Sequence, residues 1–517
     1  MTSQTPETSA QALDRFRRQA KQLGQAFAAG DSHAQLRVSM HPPGPAGKLL
    51  RHTDFLHVVA QEQSFPTWPA LKLAVETQGM DRAAKVQRLK LALANGQVHV
   101  VKHLMWDSPD LARGQFGLQV ALYDLAAVEH ALKRDPALAT KHAGPRSPMA
   151  HLCFSPTLQI WPEREAEMLK IAALLKAHGA DVNDSIAQPG TDHRLSVLYG
   201  ASGHVGNLPL TRWLLEAGAD PDDGESLYHC TEPGRGAMLQ LLLEHGANPK
   251  GTNALLRAMD FNDHTAVRLL LAHGADPDEF NADEVGGETP WVIPALHQIA
   301  RRDCDGEMAQ ILVEAGADLT RLWQGVTAYA MARVYGNDAV AEVFARAGTK
   351  VALSPLKQAL ADAITESNSG KILSEVPEIY KHLLHELIPL DRVTVLWLKS
   401  LISSGLDPDM PDGMGLTPAM IAAWEGQADV LEYFLSLGVN LNHVNAYGGS
   451  YLGTCMHGAE NSPNRDKRDH LRCLDLLLQA GVPLPKRAAD LCGVPELSEF
   501  LRAYGDEYPE QLVEGAT

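Results

Sequence analysis

Four side chains in one stretch of the sequence carry the atom types that bind zinc. Cys455, His457, His470 and Cys473 lie close together along the chain. Structural zinc sites usually pair such ligands as C-x2–4-C and H-x3–5-H. Here the order is C-x-H, a longer interval, then H-x-x-C, and Cys473 falls on the apolar side of "HLRCLDLLLQAG". We therefore interpret the cysteines as small core residues and predict no metal site.

An acidic loop raises the same question for calcium. Asp407–Gly415 reads "DPDMPDGMG", with alternating acids, but the twelfth position of the would-be loop is Pro418. An EF-hand needs a bidentate glutamate there. The motifs GxGxxG, GxxxxGK[ST], HExxH and GxSxG are absent from the sequence. We predict no catalytic residue and no cofactor, hence no enzyme. The alternative is an enzyme with its site in the N-terminal region or in an insertion loop.

Composition narrows the class of protein further. The 517 residues carry a formal net charge of −18, which argues against general binding to nucleic acid or to an anionic membrane. The sequence has neither an apolar run of about 18 residues nor a basic segment followed by an apolar one near Met1. The six cysteines are far apart, as expected for free thiols in a reducing compartment. These features predict a cytoplasmic protein.

A short phrase recurs along the chain. "LLLEHGANPK" ends at Lys250, and a near copy, "LLLAHGADPD", ends at Asp278. The glycine in each phrase is expected to end a helix in the left-handed conformation, which glycine adopts without steric cost. A unit of roughly 30 residues with insertions, a length typical of helical repeats, explains the spacing of nine such glycines: Gly179, Gly218, Gly246, Gly274, Gly316, Gly348, Gly405, Gly438 and Gly481.

The sequence pattern of each repeated unit predicts a pair of helices. In "TPAMIAAWEGQADVLEYFLSLG", Thr417 caps the first helix and Pro418 occupies its first turn. Ala422 and Ala423 allow a neighbouring helix to approach closely, and the second helix ends at Gly438. One helical hairpin of this size cannot bury its apolar faces alone, so successive hairpins must stack.

These units resemble ankyrin repeats. In "TPAMIAAWEGQADVLEYFLSLGVNLN" and "NALLRAMDFNDHTAVRLLLAHGADPD" the family's leucine position precedes the terminal glycine by the same interval, from Ala419 to Gly438 and from Leu255 to Gly274. The resemblance covers roughly residues 88–505. It implies an all-α fold, an ankyrin-repeat solenoid of stacked helix-turn-helix units with a helical N-terminal cap. The segment Asp54–Glu76 is similar to a module that precedes the repeats in some bacterial proteins of this kind, so a bacterial source is expected.

The repeat pattern also suggests domain boundaries. Residues 1–81 are predicted to form a helical N-terminal capping region, and residues 82–350 a repeat array whose first two units are divergent. Residues 351–381 are either an irregular repeat or a hinge. Residues 382–517 are predicted to form a second array with a C-terminal cap at Ala489–Gly505.

The resemblance implies where a partner would bind. Ankyrin proteins use their concave face, built from the residues before T-P and the two residues after A-A. Aromatic and arginine side chains at such positions often carry interface energy, although each aromatic could instead pack against the next repeat. Transferred by register, the candidate partner-binding residues are Asp260, Phe261, Arg301, Arg302, Trp323, Gln324, Tyr335, Met414, Trp424, Glu425 and Tyr447.

The predicted function is that of a non-catalytic scaffold that binds another protein through this concave surface, as an inhibitor or immunity-type regulator. The negative net charge suits a basic partner through electrostatic steering. A monomer is predicted in preference to a homo-oligomer. The alternative to partner binding is a self-assembling structural element.

Overall fold

The computed structural model describes residues 8–43, 50, 52–188, 192–282, 292–365 and 376–514. Most of these residues are helical and only short strands occur, which confirms the predicted all-α class. None of the described helices combines the length and the hydropathy that crossing a membrane requires.

The helices follow one another closely along the chain. The helices before residue 180 are α1 Ser9–Ala28, α2 Ser32–Met40, α3 His52–Glu62, α4 Trp68–Gln78, α5 Arg82–Ala94, α6 Val98–Asp107, α7 Phe116–Ala121, α8 Leu125–Arg134, α9 Pro148–Cys153, α10 Thr157–Ile160 and α11 Glu165–Ala177. Those from residue 197 to residue 346 are α12 Val197–Tyr199, α13 Leu208–Glu216, α14 Ser226–His229, α15 Gly236–Glu244, α16 Ala254–Asp260, α17 His264–Ala272, α18 Ala295–Arg301, α19 Gly306–Glu314, α20 Ala328–Val334 and α21 Asp338–Arg346. The later helices are α22 Pro355–Ile364, α23 Leu383–Leu387, α24 Val395–Ser403, α25 Pro418–Glu425, α26 Ala428–Ser436, α27 Tyr451–Asn461, α28 His470–Gln479, α29 Ala488–Leu491 and α30 Pro495–Glu507.

Short strands and turns connect these helices. The strand pairs are β1 Ser185–Ala187 with β2 Arg194–Ser196 and β3 Leu322–Trp323 with β4 Val326–Thr327, both antiparallel, and β5 Leu484–Pro485 with β6 Leu512–Val513, parallel. The 3-10 turns are Pro136–Ala139, Pro162–Arg164, Glu378–Tyr380, Arg465–Lys467 and Pro509–Gln511, and Gly200–His204 forms a π-helical turn.

The glycines that were expected to end helices have the backbone conformation that this role requires. All nine have φ between 75° and 114°, the left-handed region. At Gly246 the following amide, that of Ala247, donates to the carbonyl of Leu242 at 3.0 Å and so closes the helix end. The predicted cap at Thr417 is also confirmed, because its side chain accepts a hydrogen bond from the amide of Met420.

The chain divides into two compact units. Unit 1 contains residues 1–72, 329–338 and 350–517, and unit 2 contains residues 73–328 and 339–349. The boundaries that the sequence suggested at residues 81, 350 and 381 stay predictions. Within the segment 351–381, residues 366–375 lie outside the described part of the chain.

Unit 2 is a stack of helix pairs. The second helices α13, α15, α17 and α19 pack in succession, and the first helices α14, α16 and α18 do the same. Equivalent leucines of the second helices are fully buried, namely Leu214, Leu242, Leu270 and Leu312. Residues 157–164 form α10 and a 3-10 turn before α11.

Unit 1 contains the later helix pairs together with the N-terminal helices. Helices α25 and α27 are neighbours, as are α24 and α26, and α26 and α28. Helix α1 packs on α3, and α3 packs on α30. The indole Nε1 of Trp68 donates to the buried carboxylate of Glu499 at 3.3 Å, and Arg17 lies 3.5 Å from the same carboxylate. The two segments that the sequence suggested as separate caps are therefore in contact with each other.

Candidate functional site

In each repeat, the first helix or the turn that follows it places two side chains on the same face. One is the residue that follows the A-A position, and the other lies three residues earlier, so a helical turn brings them together. In unit 2 these pairs are His229 with Glu232, Arg257 with Asp260, and Gln298 with Arg301; in unit 1 they are Ile421 with Trp424, and Thr454 with His457.

In unit 2 the polar pairs connect into a continuous chain of contacts, here called the charged ladder. It begins at Glu225, whose carboxylate is buried between two imidazoles. Glu225 Oε1 lies 2.7 Å from His193 Nε2, and Oε2 lies 3.2 Å from His229 Nε2. Nδ1 of His229 is in turn 3.2 Å from the carboxylate of Glu232. One carboxylate thus lies on either side of the His229 ring.

These contacts set the charge of His229. Burial lowers its pKa, but hydrogen bonds and negative charge from Glu225 and Glu232 outweigh that effect and raise the pKa to about 9. The pKa of Glu232 is lowered, mainly by its hydrogen bond with His229. His229 is therefore an imidazolium cation at neutral pH.

The ladder continues through Arg257. This guanidinium lies 3.9 Å from Glu232 and 3.7 Å from Asp260, and therefore links two successive first helices. It also lies over two aromatic rings, 4.6 Å from the centroid of Phe261 and 5.7 Å from that of Tyr228. Phe261 is thus half-buried beneath a cation, in an arrangement that leaves part of its ring accessible.

Asp260 connects α16 to the next first helix. Its Oδ1 accepts hydrogen bonds from the side-chain Nε2 of Gln298 at 2.6 Å and from Nε of Arg302 at 3.1 Å. Gln298 Oε1 in turn accepts from the guanidinium of Arg301 at 2.9 Å. The structure therefore brings together the predicted residues Asp260, Phe261, Arg301 and Arg302, all half-buried and held by neighbouring repeats.

The predicted finger residues Trp323 and Gln324 lie at the tip of the β3–β4 hairpin. Gln324 is exposed, and both Gln324 and Gly325 have positive φ, which matches the tight turn of a two-residue hairpin. Trp323 is half-buried against Phe280, with ring centroids 5.1 Å apart and an edge-on geometry. Trp323 therefore packs against the loop that follows α17, while the side chain of Gln324 is exposed to solvent.

In unit 1 the predicted residues surround an open cavity of about 650 Å3, here called the aromatic slot. Trp424 lies beside His457, with ring centroids 5.0 Å apart. Tyr447, at the tip of the next finger, is 81% exposed, and its hydroxyl lies 3.8 Å from the sulfur of Met414. Asn445 holds this finger in shape, because its Oδ1 accepts from the amides of Tyr447 and Gly449.

Glu425 provides the acidic group of the slot. Its side chain is buried, and Ser462 donates a hydrogen bond to its Oε2 at 3.2 Å. Burial raises the pKa of Glu425, and the hydrogen bond from Ser462 and the charge of Arg468 partly offset this effect. Glu425 is thus better suited to fixing α25 against its neighbours than to meeting a partner in solvent.

Close contact between α25 and α27 forms the floor of the slot. A Cβ atom at Gly458 of α27 would lie 2.0 Å from the backbone oxygen of Trp424. The imidazole Nε2 of His470 also donates to that oxygen, at 2.9 Å. Only glycine at position 458 lets the two helices approach closely enough to place Trp424 against His457.

Tyr335 does not belong to either surface, and here the sequence-based assignment is wrong. Its side chain is 2% exposed and its hydroxyl donates to the carboxylate of Glu386 within unit 1. The register that placed it after A-A could not show that the next helix covers it. Tyr335 is therefore a buried packing residue, which is the alternative that the sequence analysis gave for each aromatic.

The four residues whose side chains could bind zinc each have a different place in the structure. Cys455 and Cys473 are fully buried, His470 is bonded to backbone, and His457 lines the aromatic slot. Across the described parts of the chain, no three His, Cys, Asp or Glu side chains are arranged to hold a metal ion. In the acidic loop, Asp412 Oδ1 accepts from the amides of Met414 and Leu416 and so shapes its own turn.

Sequence reasoning missed several members of both surfaces. Glu232 and His457 occupy the position after A-A from which Asp260 and Trp424 were selected, so a systematic use of the register would have found them. His229 and Arg257 lie three residues earlier, at a position that the register did not include. Glu225 carried no such signal. It lies before α14, and its role depends on the β2 region placing His193 beside it.

Two family models match the sequence. One described as "Ankyrin repeats (3 copies)" matches residues 198–281, and one described as "Ankyrin repeats (many copies)" matches residues 393–435. The first match spans the ladder from Glu225 to Asp260, and the second contains Trp424. The chain contains ankyrin repeats in these two segments. Ankyrin repeats are modules for protein–protein interaction, so this chain carries such a module.

Comparison with solved structures gives a match to the crystal structure of the human ASB11 ankyrin repeat domain. The match covers 46% of this chain and 100% of that domain, at 20% sequence identity and a TM-score of 0.35. No curated protein matches the sequence.

Proposed function

We propose that this protein binds a partner protein through the aromatic slot of unit 1 and the charged ladder of unit 2. The observation that carries the proposal is the slot itself. Trp424, His457, Met414 and Tyr447 come from two successive repeats, surround one open cavity, and include an aromatic side chain that is 81% exposed. Large aromatic side chains contribute strongly to binding when a partner removes them from water.

The ladder supports binding in a different way. Its side chains are half-buried and already held by ion pairs, for example Arg302 by Asp260 at 3.1 Å. A partner that lies on them therefore loses little entropy in ordering the surface. Trp323 and Gln324, on the β3–β4 hairpin of the same unit, are proposed as additional contacts.

The charge of the surface bears on the kind of partner. The net charge of −18 favours long-range attraction of a basic protein. Along the ladder, however, the cations His229, Arg257, Arg301 and Arg302 outnumber the carboxylates Glu225, Glu232 and Asp260. We propose a basic partner that presents a neutral or acidic segment to the ladder.

Binding of this kind needs no catalytic residue. We propose that the protein is a non-catalytic scaffold that acts as an inhibitor or immunity-type regulator by covering the active or binding surface of its partner. If so, adding the purified chain in equimolar amount should abolish the activity of the captured partner. A partner that remains fully active in the complex would contradict the inhibitory role and leave the scaffold role intact.

Affinity capture with matched variants tests the binding surface. Tyr447→Ala removes an exposed aromatic of the slot, and Trp106→Ala removes an aromatic on α6 of unit 2 that is 89% exposed and is not one of the residues of the slot or the ladder. We expect the Tyr447 variant to lose at least tenfold in affinity for the captured partner and the Trp106 variant to bind normally. Equal retention by the two variants would contradict the proposal. Sedimentation that showed a dimer dissociated by Tyr447→Ala would instead support self-assembly.

A further inference from the structure

We propose that unit 2 has a separate pocket that binds a small organic carboxylate with an apolar body. The pocket, here called the anion pocket, has a volume of about 480 Å3. It lies among α5, α7, α9 and the turn Ala143–Arg146, in the divergent repeats that precede the charged ladder. Pockets of this size accommodate small molecules, which usually meet an apolar wall and a few polar groups that fix their orientation.

The wall of the anion pocket is mainly apolar. Leu93, Leu118 and Phe154 line it as core residues, and Phe116 is half-buried there. Leu91, which also lines the pocket, is 48% exposed. An apolar ligand body would cover this leucine and so gain the free energy of removing its surface from water.

Arg146 supplies the charge that a carboxylate would meet. Its guanidinium carbon lies 5.1 Å from the ring centroid of Phe154, which holds the group at one end of the pocket. Among the described residues the guanidinium has no ion-pair partner and donates no hydrogen bond. Burial lowers the pKa of Arg146.

Among the described residues Arg146 lacks an ion pair even though the chain has 63 Asp and Glu residues against 45 Lys and Arg. Two other arginines of unit 2 do have acidic partners: Arg257 lies near Asp260 and Glu232, and Arg82 lies near Asp110. A half-buried cation without a counter-charge is costly, and an incoming carboxylate offsets that cost through two parallel hydrogen bonds to the guanidinium.

Neighbouring groups add positive charge around Arg146. Lys90 lines the same pocket, and Arg146, Lys90 and His142 all exert positive charge on His151, whose pKa is lowered mainly by burial. The Nε2–H of His151 donates to the carbonyl of Ala143 at 2.8 Å and so fixes the turn that carries Arg146. The pocket therefore joins an apolar wall to a cationic end, which matches an amphipathic anion.

Calorimetry with three probes tests the ligand class on the full chain. 3-Phenylpropionate has the proposed chemistry, 3-phenylpropanamide keeps the apolar body without the charge, and inorganic phosphate keeps a charge without the body. We expect one equivalent of the acid to bind at least tenfold more tightly than the amide, and phosphate to bind more weakly than the acid. An amide that binds as well as the acid, a phosphate that binds as tightly, or no binding of the acid at millimolar concentration would overturn the proposal.

Matched variants locate the site. Arg146→Gln should remove the difference between acid and amide, whereas Arg134→Gln, which removes the same charge from an exposed position at the end of α8, should preserve it. If Arg146→Gln fails to fold by circular dichroism, Arg146→Lys replaces it. That variant keeps the charge without the paired N–H groups and should weaken acid binding at least fivefold. Unchanged acid binding in the folded Arg146 variant would overturn the proposal.

Discussion

Replacing Gly458 by alanine should destabilise the helix pair that forms the aromatic slot. In most helix interiors this change stabilises the fold by up to about 1 kcal/mol, because glycine has the poorer helix propensity. Here the added Cβ would lie 2.0 Å from the Trp424 oxygen and 2.7 Å from its carbonyl and α carbons. Since ordinary contact begins near 3.4 Å, the overlap is with backbone, and the backbones of α25 and α27 must move apart to relieve it.

The size of the effect follows from these opposing terms. Overpacking of a tight contact costs about 1–3 kcal/mol and more where backbone must move. After the propensity gain is subtracted, we expect a net loss of about 2 kcal/mol, which corresponds to a roughly 30-fold increase in local opening. Hydrogen exchange followed by mass spectrometry on peptides from α25 and α27 measures this opening directly, without assuming that the two units unfold together.

A second glycine variant distinguishes the steric contact at Gly458 from the general effect of replacing a helical glycine. Gly236 lies at the start of α15, and a Cβ there would meet no atom within 4 Å. Gly236→Ala should therefore be neutral or slightly stabilising. Because Gly458→Ala also displaces Trp424 from His457, it should weaken partner capture as well. Protection of α25 and α27 that equals or exceeds that of the unmodified protein would refute the reasoning.

Three further outcomes are expected. The pKa of His229 is about 9 in the folded state against 6.5 for a free histidine, so its stabilisation of unit 2 is complete below pH 6.5 and is lost as the pH rises through 9. Urea titrations should show a fall of at most about 3 kcal/mol in the free energy of unfolding over this pH range, and a smaller fall in Glu225→Gln, in which Glu232 alone still raises the pKa of His229. Glu499→Ala should cost unit 1 about 2–4 kcal/mol by removing the buried acceptor of Trp68, and a protease-resistance profile of α30 that matches the unmodified chain would contradict this. Thr417→Ala should cost about 2 kcal/mol by removing both the helix cap and the bond to the Tyr451 hydroxyl, whereas Thr417→Ser, as measured by thermal unfolding, should lose much less.

Local backbone requirements made much of the fold predictable from sequence. Gly246 and Gly274 indicated left-handed helix ends because few other residues tolerate that conformation, and Thr417-Pro418 indicated a helix start. The spacing between such signals determined which residues share a face. For that reason the sequence alone predicts that Asp260 and Phe261 share one surface.

Contacts between distant parts of the chain were less predictable. Tyr335 fitted the register of an exposed position, but Glu386 lies 51 residues further on and no local pattern links the two. The pairing of Glu225 with His193 likewise depends on how a short strand returns to the stack. The candidate surfaces were thus found in outline, while their electrostatic details required the three-dimensional arrangement.

The bond from Trp68 to Glu499 has a consequence for biosynthesis. Its two ends are 431 residues apart in sequence. At about 5–20 residues per second, a ribosome needs roughly 20–90 seconds to make the intervening polypeptide. During that interval the part of α3 that packs on α30 has no native surface to cover it. The nascent chain should therefore depend on chaperones for a longer time than a repeat protein in which each repeat packs on the preceding one as soon as it is synthesised.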